Sequence, residues 1–227
     1  SVWKTGNQMY FADDHSSKSG TQVIASDALI SDDGVSLTAT FKTISRKAEK
    51  IYAISAENAW IRQWKSSVSF TYDGTFATAA AGVGEAAVGE SSLTIAPLMG
   101  VAEFEIGAAD ITKVMFTAEK DIFPVKMTYN FKDKKVEVTS RTASIAVKTA
   151  GAGKYYMPVI PGEKMEGCTV ELFNQAGMAL ATETVAAEDI AAAGAIVSLG
   201  YIGQVADDFL DPEIPQAESA AMAVKNM

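Results

Sequence analysis

Cysteine occurs once in this sequence, at Cys168, and histidine once, at His15. One cysteine excludes an intramolecular disulfide, and one histidine excludes a multi-histidine zinc site within a single chain. Basic residues are few beside the acids: 19 Lys and Arg stand against 28 Asp and Glu, for a formal net charge of −9. Phosphate binding needs clustered cations, so no nucleic-acid partner is expected. The same imbalance opposes direct docking on an anionic membrane surface. No apolar run approaches the ~20 residues that span a bilayer. Helical periodicity is also lacking between the apolar segments, which disfavours a parallel βαβ sheet.

What is present is a long series of strand signals in 227 residues, of which 48% are hydrophobic and 21% charged. That is a globular composition, long enough for one large β domain or two ordinary ones. The first strand candidates are residues 8–12, 21–25, 35–41, 51–55 and 68–72, separated by turn residues such as Asp32-Asp33-Gly34. A second series covers 93–97, 102–106, 111–118, 125–131, 136–139, 144–148 and 196–202. Residues 56–65 read as a short helix or irregular loop, and residues 79–90, rich in Ala and Gly, as a linker or mobile loop. A helical turn or two is expected over 186–193. The fold class is therefore all-β with little helix: two antiparallel β-sandwich domains in tandem, 1–92 and 93–206, with a boundary near Ser92. Residues 207–227 form an acidic C-terminal arm.

The segment 154–184 carries the clearest pattern. It reads as three short strands joined by turns at Pro161-Gly162 and Gln175-Ala176-Gly177. Cys168, Val170 and Leu172 alternate there with Thr169, Glu171 and Phe173, the period of a strand with two different faces. Cys168 is then a small core hydrophobe rather than a reactive thiol, which would need a basic neighbour.

Chemistry is harder to find. Gly82-Val83-Gly84-Glu85-Ala86-Ala87 matches a dinucleotide-binding spacing, but a strand rather than a helix follows it, and Glu85 would repel phosphate. Asp13-Asp14-His15-Ser16-Ser17 holds the contents of a catalytic triad, yet triads assemble from distant segments, and a solvated turn is expected. The pairs Asp13-Asp14, Asp32-Asp33 and Asp207-Asp208 lack the ligand spacing of a calcium loop. No metal and no cofactor is expected, and no enzymatic activity. Trp60 and Trp64, with Tyr10, Tyr155 and Tyr156, offer a sugar-stacking platform as one reading and core packing as the other. In the arm, Gln216, Ala220, Met222 and Val224 are candidates for pairing with another subunit, against a frayed terminus.

Several ordered segments resemble the fimbrillin family of Bacteroidales surface proteins. They are residues 2–11, beginning Val2-Trp3-Lys4-Thr5-Gly6, and residues 50–55, Lys50-Ile51-Tyr52-Ala53-Ile54-Ser55. Residues 97–106 with 110–114 look like the start of that family's second domain. Residues 155–162 and 168–173 look like its closing meander. The resemblance covers roughly residues 1 to 202. It implies two β-sandwich domains, export as a lipoprotein precursor, and a place at the cell surface or outer membrane, in a pilus or fimbrium. It also implies strand exchange with other pilus subunits or with a second copy, through a groove opened when an N-terminal strand is cleaved away, and a host or bacterial surface ligand as a further partner class. The family's lipid-bearing cysteine and the strands before its early tryptophan have no counterpart in this sequence. Membrane association is thus expected only through a lipid anchor outside this chain.

Overall fold

The computed structural model describes residues 8–15, 20–23, 29–30, 37–38, 45–55, 60–61, 67–90, 92–187 and 192–203. The early strands are β1 (Gln8–Asp13), β2 (Gly20–Val23), β3 (Leu29–Ile30), β4 (Leu37–Thr38), β5 (Lys50–Ile54), β6 (Trp60–Ile61) and β7 (Ser67–Thr71). A four-residue helix α1 (Phe76–Ala79) precedes β8 (Gly82–Ala87), β9 (Ala96–Pro97), β10 (Gly100–Ile106), β11 (Ile111–Thr117) and β12 (Phe123–Asn130). Then come β13 (Lys135–Thr142), β14 (Ser144–Lys148), β15 (Gly153–Val159), β16 (Met165–Asn174), β17 (Ala179–Ala187) and β18 (Ile196–Ile202). The chain is all-β, as its strand signals indicate.

The strands build two sandwiches. In the first, a five-stranded sheet ordered β2-β1-β5-β8-β9 faces a four-stranded sheet ordered β13-β12-β7-β6. Ala12, Tyr52, Ile54 and Val83 from one sheet meet Val68, Phe70, Met127 and Phe131 from the other. In the second, β15-β10-β18 faces β14-β11-β16-β17. Its core is built from Ala102, Phe104, Ile106, Met157 and Ile202 against Val114, Phe116, Ile145, Cys168, Val170 and Leu172. Phe104 and Phe116 meet edge to face, 5.1 Å between centroids. Burying a side chain of that size contributes roughly 1.5–3 kcal/mol, and the aromatic geometry adds about 1 more.

Cys168, Val170 and Leu172 are buried while Thr169, Glu171 and Phe173 are half-buried, so the alternation of β16 is realised. Burial pushes the Cys168 thiol above its ordinary pKa, which suits an inert core residue. The ladder β7·β12, Phe70 opposite Met127 and Val68 opposite Tyr129, joins residues on both sides of Ser92.

Four local expectations are corrected. Residues 82–87 are not a linker: β8 lies inside the five-stranded sheet, paired with β5 and β9. Its glycines are required by a close approach. A Cβ on Gly82 would lie 2.8 Å from the Ala96 carbonyl oxygen, and one on Gly84 2.6 Å from that of Thr94. Trp60-Ile61, expected in a helix or loop, pairs with Ser69 and Val68 as the edge strand β6. The segment 154–184 is not one meander, because β15 pairs with β10 while β16 and β17 pair in the opposite sheet. And β18 runs parallel to β10, Val101 opposite Ile196 and Ile106 opposite Ile202, whereas the other ladders among the described residues are antiparallel. Of the helical turn expected over 186–193, residues 186–187 end β17 and 188–191 lie outside the described residues. Asp32-Asp33-Gly34 also lies outside them, although β3 and β4 on either side pair antiparallel, Ile30 opposite Leu37.

Candidate functional site

The candidate residues are not gathered in one place. Trp60 belongs to β6, but its side chain and all of Trp64 lie outside the described residues. So do Gln216, Ala220, Met222 and Val224 of the arm. The tyrosines are dispersed. Tyr10 packs at the rim of the first core. Tyr155 turns into the second core, where its hydroxyl donates to the Gly151 carbonyl at 2.9 Å and accepts from the Ala150 N–H at 2.8 Å. Of the three tyrosines, Tyr156 turns to the outside of the second sandwich.

The Gly82–Ala87 segment is a strand, so its glycines line no strand-to-helix phosphate turn. His15 is exposed at the end of β1. Asp13 is not part of a solvated turn: it is fully buried, accepts the His15 N–H at 2.9 Å and the Ser45 N–H at 2.8 Å, and so fastens the 45–50 segment to β1. Among the described residues there is no cluster of three or more His, Cys, Asp or Glu placed to hold a metal.

Two surfaces remain. The first is the edge formed by β18. An edge strand presents unpaired N–H and C=O groups, and proteins blunt such edges with charges or proline. The edge strand β13 carries Lys135, Glu137 and Arg141, β15 carries Lys154 and Pro158, β14 ends on Lys148, and β17 holds Glu183. β18, Ile-Val-Ser-Leu-Gly-Tyr-Ile, has neither charge nor proline. Val197 and Leu199 lean on the second core, while Ile196 is 66% exposed. Tyr201 is exposed too.

The second surface is the outer face of β15-β10-β18. Phe104 and Met157 point inward, so their neighbours Glu103, Glu105, Lys154 and Tyr156 point out. The register sets Glu103 between Tyr156 on β15 and Ser198 on β18, and sets Glu105 opposite Lys154. Lys154 Nζ lies 2.8 Å from Glu103 Oε1, and Tyr156 stands directly across the ladder from this carboxylate. Lys154, with the Tyr156 phenol adding to it, holds Glu103 below the ordinary carboxyl range, and the carboxylate in turn raises Lys154. Phe76 of α1 reaches over β15 to lie against Tyr156, 4.9 Å between centroids and tilted by 57°. Sequence reasoning missed Phe76 and Glu103: the first sits in what reads as a loop, the second is one polar position of an alternating strand.

No protein-family model matches the sequence, and no curated protein matches it. Solved structures do resemble it. A "putative cell adhesion protein" from Bacteroides uniformis superposes with a TM-score of 0.50 at 12% identity, over 81% of this chain and 80% of that one. A protein of the same description from Bacteroides thetaiotaomicron gives 0.43 at 13% identity, over 87% and 80%. A fimbrial protein from Bacteroides vulgatus gives 0.34 at 10% identity, over 85% and 87%. The chain thus shares its fold with the Bacteroides uniformis protein.

Proposed function

We propose that this chain is a structural and adhesive protein of the bacterial cell surface, a fimbrillin-like pilus subunit or accessory component with no catalytic role, whose copies join by strand addition. The observation that carries the reading is the edge of β18, seven residues long, without charge or proline, and paired on its outer side by no strand among the described residues. A strand laid along it gains a ladder of main-chain hydrogen bonds and neighbours for alternate side chains. The partner is another pilus subunit or a second copy of this chain. Export, an outer-membrane or fimbrial location and attachment through a lipid carried outside this chain complete the proposal. The fold shared with a cell-adhesion candidate from Bacteroides supports it.

The test begins with the full-length precursor and the protease that processes it. Processed protein is expected to polymerise, or to enter pili purified from the producing cells. Processed protein that does neither sinks the subunit reading.

A further inference from the structure

We infer that the outer face of β15-β10-β18 binds an uncharged saccharide chain, with Phe76 and Tyr156 as the stacking pair and Glu103 and Lys154 as hydrogen-bonding groups. The inference gives the adhesive reading its ligand class, and rests on that reading only for its biological purpose.

The face is amphiphilic on the scale of a sugar ring. Phe76 is 42% exposed and adjoins the half-buried Tyr156. Around this pair stand acceptors in Glu103 and Glu105, a donor in Lys154 and a hydroxyl in Ser198. A pyranose offers the complement: a patch of C–H groups for the aromatic rings and hydroxyls that donate and accept. The apolar part is two aromatic rings, too small for the ~800 Å² that each partner of a stable protein complex buries. Two carboxylates beside one ammonium oppose phosphates and acidic sugars, which leaves a neutral ligand.

The geometry is fixed before any ligand arrives. Asp73 Oδ1 accepts from the Thr75 N–H at 3.1 Å, the Thr75 hydroxyl at 2.6 Å and the Thr78 hydroxyl at 2.7 Å, which ties down α1. The Lys148 N–H donates to the Gly74 carbonyl at 2.9 Å, pinning the same turn to β14. Phe76 is therefore held over Tyr156. Ordering that is already in place need not be supplied by binding.

The experiment applies the monomeric full chain to an array of neutral and sialylated oligosaccharides and titrates the best binder by calorimetry. Phe76→Ala and Tyr156→Ala are each expected to weaken binding of a neutral oligosaccharide by about tenfold or more. Tyr156→Phe, which keeps the ring, is expected to lose less, and all variants to keep the wild-type unfolding transition. Absence of any neutral binder, preference for the sialylated probes, or unchanged affinity in both alanine variants overturns the inference. Polymerisation is read separately, so failure of this face and failure of the assembly edge are distinguishable.

Discussion

Phe131 stacks on Tyr52, ring centroids 4.1 Å apart and planes 29° apart, and so joins the end of the β12–β13 hairpin to the first core. Tyr129 meets the same Phe131 ring edge to face at 5.4 Å. Phe131→Ala removes a buried ring and leaves a cavity. It is expected to cost about 3–5 kcal/mol in denaturant unfolding. A fragment ending at Ser92 lacks Met127, Phe131 and Ile160 of this core, and is expected to show no cooperative unfolding transition.

Gly84 gives a prediction of the opposite kind, in which adding one carbon does the damage. An alanine Cβ there would press on the Thr94 carbonyl from 2.6 Å. Gly84→Ala is expected to lower stability by about 1–3 kcal/mol, read as a reduced denaturation midpoint. The same change at an ordinary strand glycine favours the folded state through the unfolded chain, so a stabilised variant would disprove the close approach.

Tyr72 is buried, and its enclosed hydroxyl has no hydrogen-bond partner among the described residues. Burial, with Asp73 adding to it, drives its phenol far above the ordinary tyrosine pKa. Tyr72→Phe removes an unsatisfied polar atom and is expected to raise stability by about 1 kcal/mol. A loss of similar size would reveal a partner for that hydroxyl.

Asp73 supplies a pH dependence. Burial works to raise its carboxyl, but the hydrogen bonds from Thr75 and Thr78 outweigh it, and the group titrates below its ordinary value. A carboxyl depressed in the folded state contributes stability that is fully present above its unfolded pKa, near 3.8. That contribution is lost as pH falls through the lower folded value. Asp73→Asn is therefore expected to be less stable than wild type at neutral pH, and the difference is expected to shrink as acid protonates the wild-type group. Unfolding curves measured from pH 7 down to about pH 2 check this.

The strand pattern was legible wherever a strand has one dry and one wet face. Cys168, Val170 and Leu172 show it, and so do Phe104 and Ile106 on either side of Glu105. It failed at β8, because Gly82 and Gly84 answer to the neighbouring 93–96 segment and not to an alternating pattern of their own. The departure of β15 into the opposite sheet and the parallel pairing of β18 with β10 are long-range choices, and a period of two is silent about them. The aromatic pair was illegible for the same reason: Phe76 and Tyr156 come together only through α1 packing on β15. Trp60 and Trp64 stood out in the sequence by residue type alone. The acidic arm is visible there only as charge, and it lies outside the described residues.

The edge of β18 admits a direct perturbation. Ile196→Lys with Tyr201→Lys places two charges on an exposed strand that now carries none. The double variant is expected to keep wild-type stability within about 1 kcal/mol, since both side chains are exposed, and to stay monomeric where processed wild type assembles. Analytical ultracentrifugation over a concentration series separates the two.

The most direct measurement is amide hydrogen exchange of β18 in processed monomer and in assembled protein. The account predicts that the amides of Ile196–Ile202 that point away from β10 exchange quickly in the monomer and become strongly protected on assembly, as a new ladder covers them. Assembly that leaves their exchange unchanged, with protection arising elsewhere, would contradict it.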